Sequence, residues 1–158
     1  MQVQSRAEII IPGAPEQTFD PATAAGMLPR ILHASGILPG VQSAEIEGGG
    51  ALRTGSRRRV TMSDGSIVVE EILAHDPPRA HQYRWLTKPK QPLPLIVRDA
   101  VALWTFEASG PGTRIVWTYT FELTSALVAI PGRLFAWRFE RWMADGLQRL
   151  RAVMSAEQ

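Results

Sequence analysis

The stretch from Pro131 to Met154, PGRLFAWRFERWMADGLQRLRAVM, constrains this chain more than any other. Phe135, Phe139, Trp142, Gly146, Leu150 and Val153 recur at steps of three and four, the spacing that places side chains on one face of an α-helix. Arg138, Arg141, Asp145 and Arg149 fall on another side. About six turns of amphipathic helix need a large apolar surface to cover. Almost everything upstream has strand character, so the pattern predicts a curved antiparallel sheet with this helix laid across it.

In chain order, Val3 to Ile11 is predicted as a strand, closed by Pro12 and Gly13. Ala14 to Asp20 suits a short helix with Pro15 in its first turn and Pro21 interrupting it. Ala22 to Ala34 suits a second, which Pro29 either kinks or restarts. Strands are predicted over Val41 to Glu47, Leu52 to Met62 with Gly55 as a bulge, Ile67 to Ala74 and Ala80 to Thr87. Ser63-Asp64-Gly65-Ser66 reads as a hairpin turn and Asp76-Pro77-Pro78 as a break. The Pro-rich Lys88 to Pro94 cannot be central strand and is longer than a tight hairpin needs. Ile96 to Ala108 and Thr113 to Leu123 complete the sheet. Ile115, Trp117, Tyr119, Phe121 and Leu123 share one face of the last strand. The fold class is α+β: six to seven antiparallel strands, two short helices after the first, and one long C-terminal helix. No repeat or linker divides residues 1–158, so one domain is expected.

Composition narrows the function classes. The chain has 158 residues, 45% hydrophobic and 20% charged, enough for a real core. Its formal net charge is only +2, and the Arg57-Arg58-Arg59 run has no interleaved aromatic residues, so no nucleic-acid partner is expected. In a strand, Arg57 and Arg59 take one face and Arg58 the other, where it would pair with an acid. There is no cysteine, which removes disulfides and thiol catalysis. His33, His75 and His81 have no close ligand spacing, so no metal is expected, and His75 reads most simply as a turn residue. No phosphate-cradling or nucleophile motif is present, and no cofactor is expected. The first residues lack a signal-peptide apolar region and no apolar run approaches a membrane span, so a soluble, cytoplasmic protein is expected.

Three local segments carry a family resemblance. The opening strand runs into Ile11-Pro12-Gly13-Ala14-Pro15-Glu16-Gln17-Thr18-Phe19. Gly65 to Tyr83 reads GSIVVEEILAHDPPRAHQY. Gly112-Thr113-Arg114-Ile115-Val116-Trp117 opens the last strand. Together they resemble the START-like (SRPBCC, helix-grip) superfamily, which includes the birch-pollen allergen and the polyketide cyclase/dehydrase and lipid-transport branch. The chain departs from its relatives at Phe19-Asp20, where Trp is frequent, and in the Ala- and Gly-rich Ala22 to Gly26. The resemblance implies a cavity between sheet and long helix, and binding of a small hydrophobic or amphipathic ligand.

The ligand-binding candidates are Tyr83, Trp85, Arg98, Trp104, Phe106, Trp117, Tyr119, Phe121, Phe135, Phe139, Trp142 and Gly146; for any single aromatic, and for Met143, core packing is the simpler reading. Tyr83, Tyr119, Arg98 and His81 would orient a ligand. Lys88 to Pro94 and Ala22 to His33 are the candidate entrance elements. Glu70 and Glu71 are adjacent, so one must face inward, where a salt bridge with Arg is the simpler reading. An enzyme of the cyclase or dehydrase type would draw its acid or base from Tyr83, His81, Glu70 or Glu71. A protein-interaction module of the chaperone-activator type would instead show a filled core and an exposed apolar patch, for which Trp137 is the pointer.

Overall fold

A computed structural model describes residues 1–157. Seven strands form one antiparallel sheet in the order β1-β7-β6-β5-β4-β3-β2. They are β1 (Gln2–Pro12), β2 (Val41–Ile46), β3 (Arg57–Met62), β4 (Ile67–Asp76), β5 (Ala80–Trp85), β6 (Val97–Ser109) and β7 (Gly112–Leu123). The helices are α1 (Pro15–Thr23), α2 (Leu28–Ile31), α3 (Leu93–Ile96) and α4 (Ala129–Ala156), with short 3₁₀ turns at Ala25–Met27 and Ala126–Val128. α4 has 28 residues, two longer at each end than the apolar periodicity predicts. Its buried face carries Phe135, Phe139, Trp142, Met143, Gly146, Leu147, Leu150 and Met154.

The sheet accepts this helix because its concave face alternates cleanly. Ser5, Ala7, Ile9 and Ile11 of β1 face inward, as do Ile115, Trp117, Tyr119, Phe121 and Leu123 of β7. Each fully buried large apolar side chain contributes about 1.5–3 kcal/mol, so this one interface outweighs every other local contact. Ser5 adds a specific tie, its hydroxyl donating to the Ala136 carbonyl of α4 at 2.6 Å.

Local chemistry moved several boundaries. Helix α1 runs through Pro21, because only Ala22 and Thr23 follow it and little hydrogen bonding is lost. The predicted helix Ala22 to Ala34 is divided into a 3₁₀ turn and α2, with Pro29 in the first turn of α2. β3 begins at Arg57 rather than Leu52, and Gly55 is a turn residue with φ +91°, not a bulge. Ile96 closes α3 instead of opening β6. No helix among the described residues is long and apolar enough to cross a membrane.

The loop between α2 and β2 is pinned where it passes the sheet. Val41 N donates to Leu32 O at 2.8 Å, and Gly40 N donates to Ser63 Oγ at 2.9 Å. A Cβ on Gly40 would lie 2.6 Å from Ala34 N and 3.0 Å from Leu32 O, backbone atoms that cannot swing aside. Gly40→Ala is therefore expected to destabilise the fold by about 1–3 kcal/mol, read as a lower thermal midpoint.

Candidate functional site

Strand register assembles the site in cross-strand rows. Arg58 of β3 lies opposite Glu70 of β4, and Glu70 opposite Trp85 of β5. In the next row Ile72 faces Tyr83, Tyr83 faces Ala102, Ala102 faces Tyr119, and Tyr119 faces Ser5. A third row joins His81, Trp104, Trp117 and Ala7. Adjacent rows on one face bring Arg58, Glu70, Tyr83 and Tyr119 together beneath Phe135, Phe139 and Trp142 of α4. These side chains line an interior cavity of about 80 Å³, otherwise walled by apolar residues of β2, β3, β4 and α2. Leu38, Pro39, Pro89, Leu93 and Phe135 also border a wider outer groove of about 480 Å³. The inner space therefore meets the surface between the loop before β2, the segment before α3, and α4.

The polar cluster is buried and ordered. Arg58 Nε donates to Glu70 Oε1 at 2.9 Å, and Arg58 Nη2 lies 2.8 Å from the same oxygen. Glu70 Oε2 receives no hydrogen bond from the described residues. The guanidinium also sits 4.7 Å above the Tyr83 ring. The Tyr119 hydroxyl donates to the Tyr83 hydroxyl at 3.2 Å. Burial lifts the Glu70 pKa, with Arg58 opposing the shift. Burial works most strongly against the charge on Arg58, but Glu70, Tyr83 and Tyr119 together outweigh it and the guanidinium stays protonated. Tyr83 is pushed up to about 12, first by burial and then by the Glu70 charge. Tyr119 rises well above its ordinary value for the same first reason, reinforced by Tyr83. Both phenols are thus hydrogen-bonding hydroxyls at neutral pH, and the Arg58–Glu70 pair is the charged element.

Eight of the sequence candidates line the inner cavity: Glu70, Tyr83, Trp85, Trp117, Tyr119, Phe135, Phe139 and Trp142. Others lie elsewhere. Arg98 is outside, because β6 is bulged between Val97 and Asp99 and the extra residue turns outward. Its Nη2 donates to Thr124 O at 2.9 Å. Gly146 is a point of close packing; a Cβ there would come within 2.7 Å of Leu32 Cδ2. Phe106 faces inward but is covered by Phe19 of α1, ring centroids 4.8 Å apart. Phe121 is covered by Phe135 and Phe139 at 5.1 and 5.2 Å. Trp104 and His81 border a separate void of about 10 Å³, the size of one water. Glu71 takes the face opposite Glu70. Val41, Val60, Met62 and Val68 also line the cavity and were not among the candidates, since nothing in their spacing marks them apart from ordinary core; Arg58, expected only to pair with an acid, lines it as well. Of the entrance elements, Pro89 and Leu93 reach the mouth, whereas Leu28 and Leu32 are buried in the wall of the inner cavity.

His75 lies in β4 rather than in a turn, and the β4 bulge between Ile72 and Ala74 brings it inward. Its Nδ1 is 3.1 Å from His81 Nδ1, so one ring donates and the other accepts. His81 Nε2 is buried without a partner. Burial, then Arg58 and His75, depress the His81 pKa to about 3. No group of three or more His, Cys, Asp or Glu side chains among the described residues is placed to hold a metal ion.

Two outcomes are expected. Arg58→Met or Glu70→Leu alone strands a buried charge and should cost about 3–5 kcal/mol. The joint change Arg58→Met/Glu70→Leu should cost less than either, as read from a double-mutant cycle in urea. His81 gives a pH dependence. The unfolded chain takes up its proton near 6.5 and the folded chain near 3. Stability is therefore full above 6.5 and is lost as pH falls between these values. His81→Leu should flatten that decline in denaturation midpoints measured across the window.

Three solved structures share the architecture. A ginseng (Panax ginseng) major latex-like protein 151 matches with TM-score 0.70 at 17% identity, covering 96% of each chain. TTHA0849 from Thermus thermophilus matches with TM-score 0.72 at 22% identity, covering 99% of this chain and 100% of that one. MLL2253 from Mesorhizobium loti gives 0.72 at 14%, covering 99% of both. At these identities the likeness establishes the fold, a helix-grip arrangement of curved sheet and long helix. No curated protein matches the sequence. The family described as polyketide cyclase/dehydrase and lipid transport matches residues 2–155. With nearly the whole length matched and the sheet, grip helix and paired short helices in place, this chain belongs to that family, within the START-like superfamily.

Proposed function

We propose that the protein binds a small amphipathic molecule, with a narrow polar end in the inner cavity and its apolar bulk in the outer groove. The observation that carries this reading is a single buried polar cluster, Arg58–Glu70 with Tyr83 and Tyr119, set in an otherwise apolar wall. Binding sites for small molecules have this composition: apolar area for affinity and a few placed polar groups for orientation. Size supports the division of the ligand. The inner space of about 80 Å³ accepts a small group, whereas the groove of about 480 Å³ accepts a ring system or chain. Glu70 Oε2 and the Tyr83 hydroxyl are the groups a ligand's hydroxyl or carbonyl would meet.

A catalytic reading has one observation in its favour, that carboxylate and phenol groups converge on one cavity. A carrier returns its ligand chemically unchanged; a new product, detected by mass spectrometry after incubation with an extracted ligand, would favour catalysis.

The test of binding uses 1-anilinonaphthalene-8-sulfonate as a fluorescent probe, together with mass spectrometry of organic extracts of the purified protein. Leu93 sits where inner space and outer groove meet, and it is partly exposed. Leu93→Trp is expected to weaken saturable probe binding by about tenfold or more, roughly 1.4 kcal/mol, without lowering the melting temperature. Unchanged affinity in that variant, or no saturable binding by the parent protein, would remove the proposal's support.

A further inference from the structure

Around the mouth of the groove the surface has a composition that ligand binding does not require. Leu127, Ile130, Leu134 and Trp137 follow one another at steps of three and four from the 3₁₀ turn into α4, on a face away from the sheet. With Ile37 and Leu95 they are six large apolar side chains between 50% and 95% exposed. Leu95 and Ile37 are each tied to this stripe. Thr124 Oγ1 donates to Leu95 O at 2.7 Å and Thr124 N to Ile96 O at 2.9 Å, joining α3 to the start of the stripe. Ile37 shares one groove with Leu134 and Arg138, and another with Trp137 and Arg141.

The charge of this rim is one-sided. Residues 86–98 and 124–139 contain Lys88, Lys90, Arg98, Arg133 and Arg138, and no acidic residue. Arg141 follows, and Arg138 and Arg141 sit over the Trp137 ring at 5.7 and 5.2 Å. Asp64 and Asp145 border the grooves, and Glu140 points to β1, where its Oε1 accepts from Arg6 N. A chain whose formal charge is only +2 thus gathers an apolar stripe and basic flanks on one side.

We infer that this rim docks on an anionic lipid bilayer surface, with Leu134, Trp137 and their neighbours entering the headgroup region and the arginines and lysines meeting lipid phosphates. The charge pattern selects this occupant. A second copy would press basic rim against basic rim across a two-fold axis, whereas an anionic membrane complements the cations and takes up the apolar stripe. Trp suits the interface between headgroups and acyl chains, and arginine can extend its charge outward from there. This inference goes beyond the binding reading and does not depend on which molecule the cavity holds.

The test is flotation of the full chain with vesicles of phosphatidylcholine alone and with about 30 mol% phosphatidylglycerol. Binding to the anionic vesicles only, weakened as salt rises from about 50 to about 500 mM, is expected. Brominated lipids should quench tryptophan emission, and Trp137→Phe should abolish that quenching, because Trp85, Trp104, Trp117 and Trp142 are buried. Ile130→Ser/Trp137→Ser, both on exposed positions and neither lining the inner cavity or the outer groove, should lose binding about tenfold or more with an unchanged melting temperature. The inference is overturned by no binding to anionic vesicles, by equal binding to neutral ones, or by full binding of the double variant. A concentration-dependent dimer in sedimentation, lost in that double variant, would overturn it in favour of a second copy. Loss of vesicle binding leaves the probe titration of the cavity untouched, so the two readings fail separately.

Discussion

Burial of the α4 aromatic face against the concave sheet is the interaction on which the rest depends. Phe135, Phe139 and Trp142 press on Tyr119, Phe121 and Trp117 with ring centroids 4.8 to 6.5 Å apart, mostly tilted or edge-on. Such contacts combine large area with a preferred geometry, so they set the separation of helix and sheet as well as their stability. They also set the free space. Where rings interlock the interior is solid; toward β2–β5, where Trp85 reaches Phe139 only at 6.4 Å, space is left for the inner cavity and its groove.

The polar groups inside this wall are held by strand register. Arg58 and Glu70 are cross-strand partners, so once β3 and β4 pair, the two charges face each other on the buried side. Neither side chain is tolerable there alone. The pair is costly to desolvate, and an apolar pair of similar size would serve stability as well. Its presence beside Tyr83 and Tyr119 is one reason to read the cavity as a place where something polar is recognised. The adjoining His75–His81 contact lies beneath α1 rather than in the cavity, and contributes chiefly a sensitivity of the fold to acid.

The legible parts of this protein were those governed by local periodicity. A step of three and four announced α4, and strict alternation announced β7 and its inward residues. Proline and glycine clusters placed the turns. The family signatures supplied connectivity. The site was less legible. Tyr83, Tyr119, Trp85 and the α4 aromatics could be nominated because aromatic side chains on facing elements must meet. Arg98 went astray because a single bulge reverses a side chain, and nothing in VRDA announces one. His75 was misplaced because β4 runs two residues past the predicted end at Ala74, and a bulge in β4 then turns it inward.

The sequence by itself determined the element types, the antiparallel succession and the burial of one helix face, because each follows from spacing along the chain. Tertiary structure alone decided which aromatics fill the core and which leave space. It also decided that Gly146 serves packing against Leu32 rather than a ligand. And it decided that Leu127, Ile130, Leu134 and Trp137 remain exposed beside a basic rim. The physical reason is that free volume and exposure are differences between neighbouring surfaces, set by bulges, crossing geometry and loop paths that no single segment encodes.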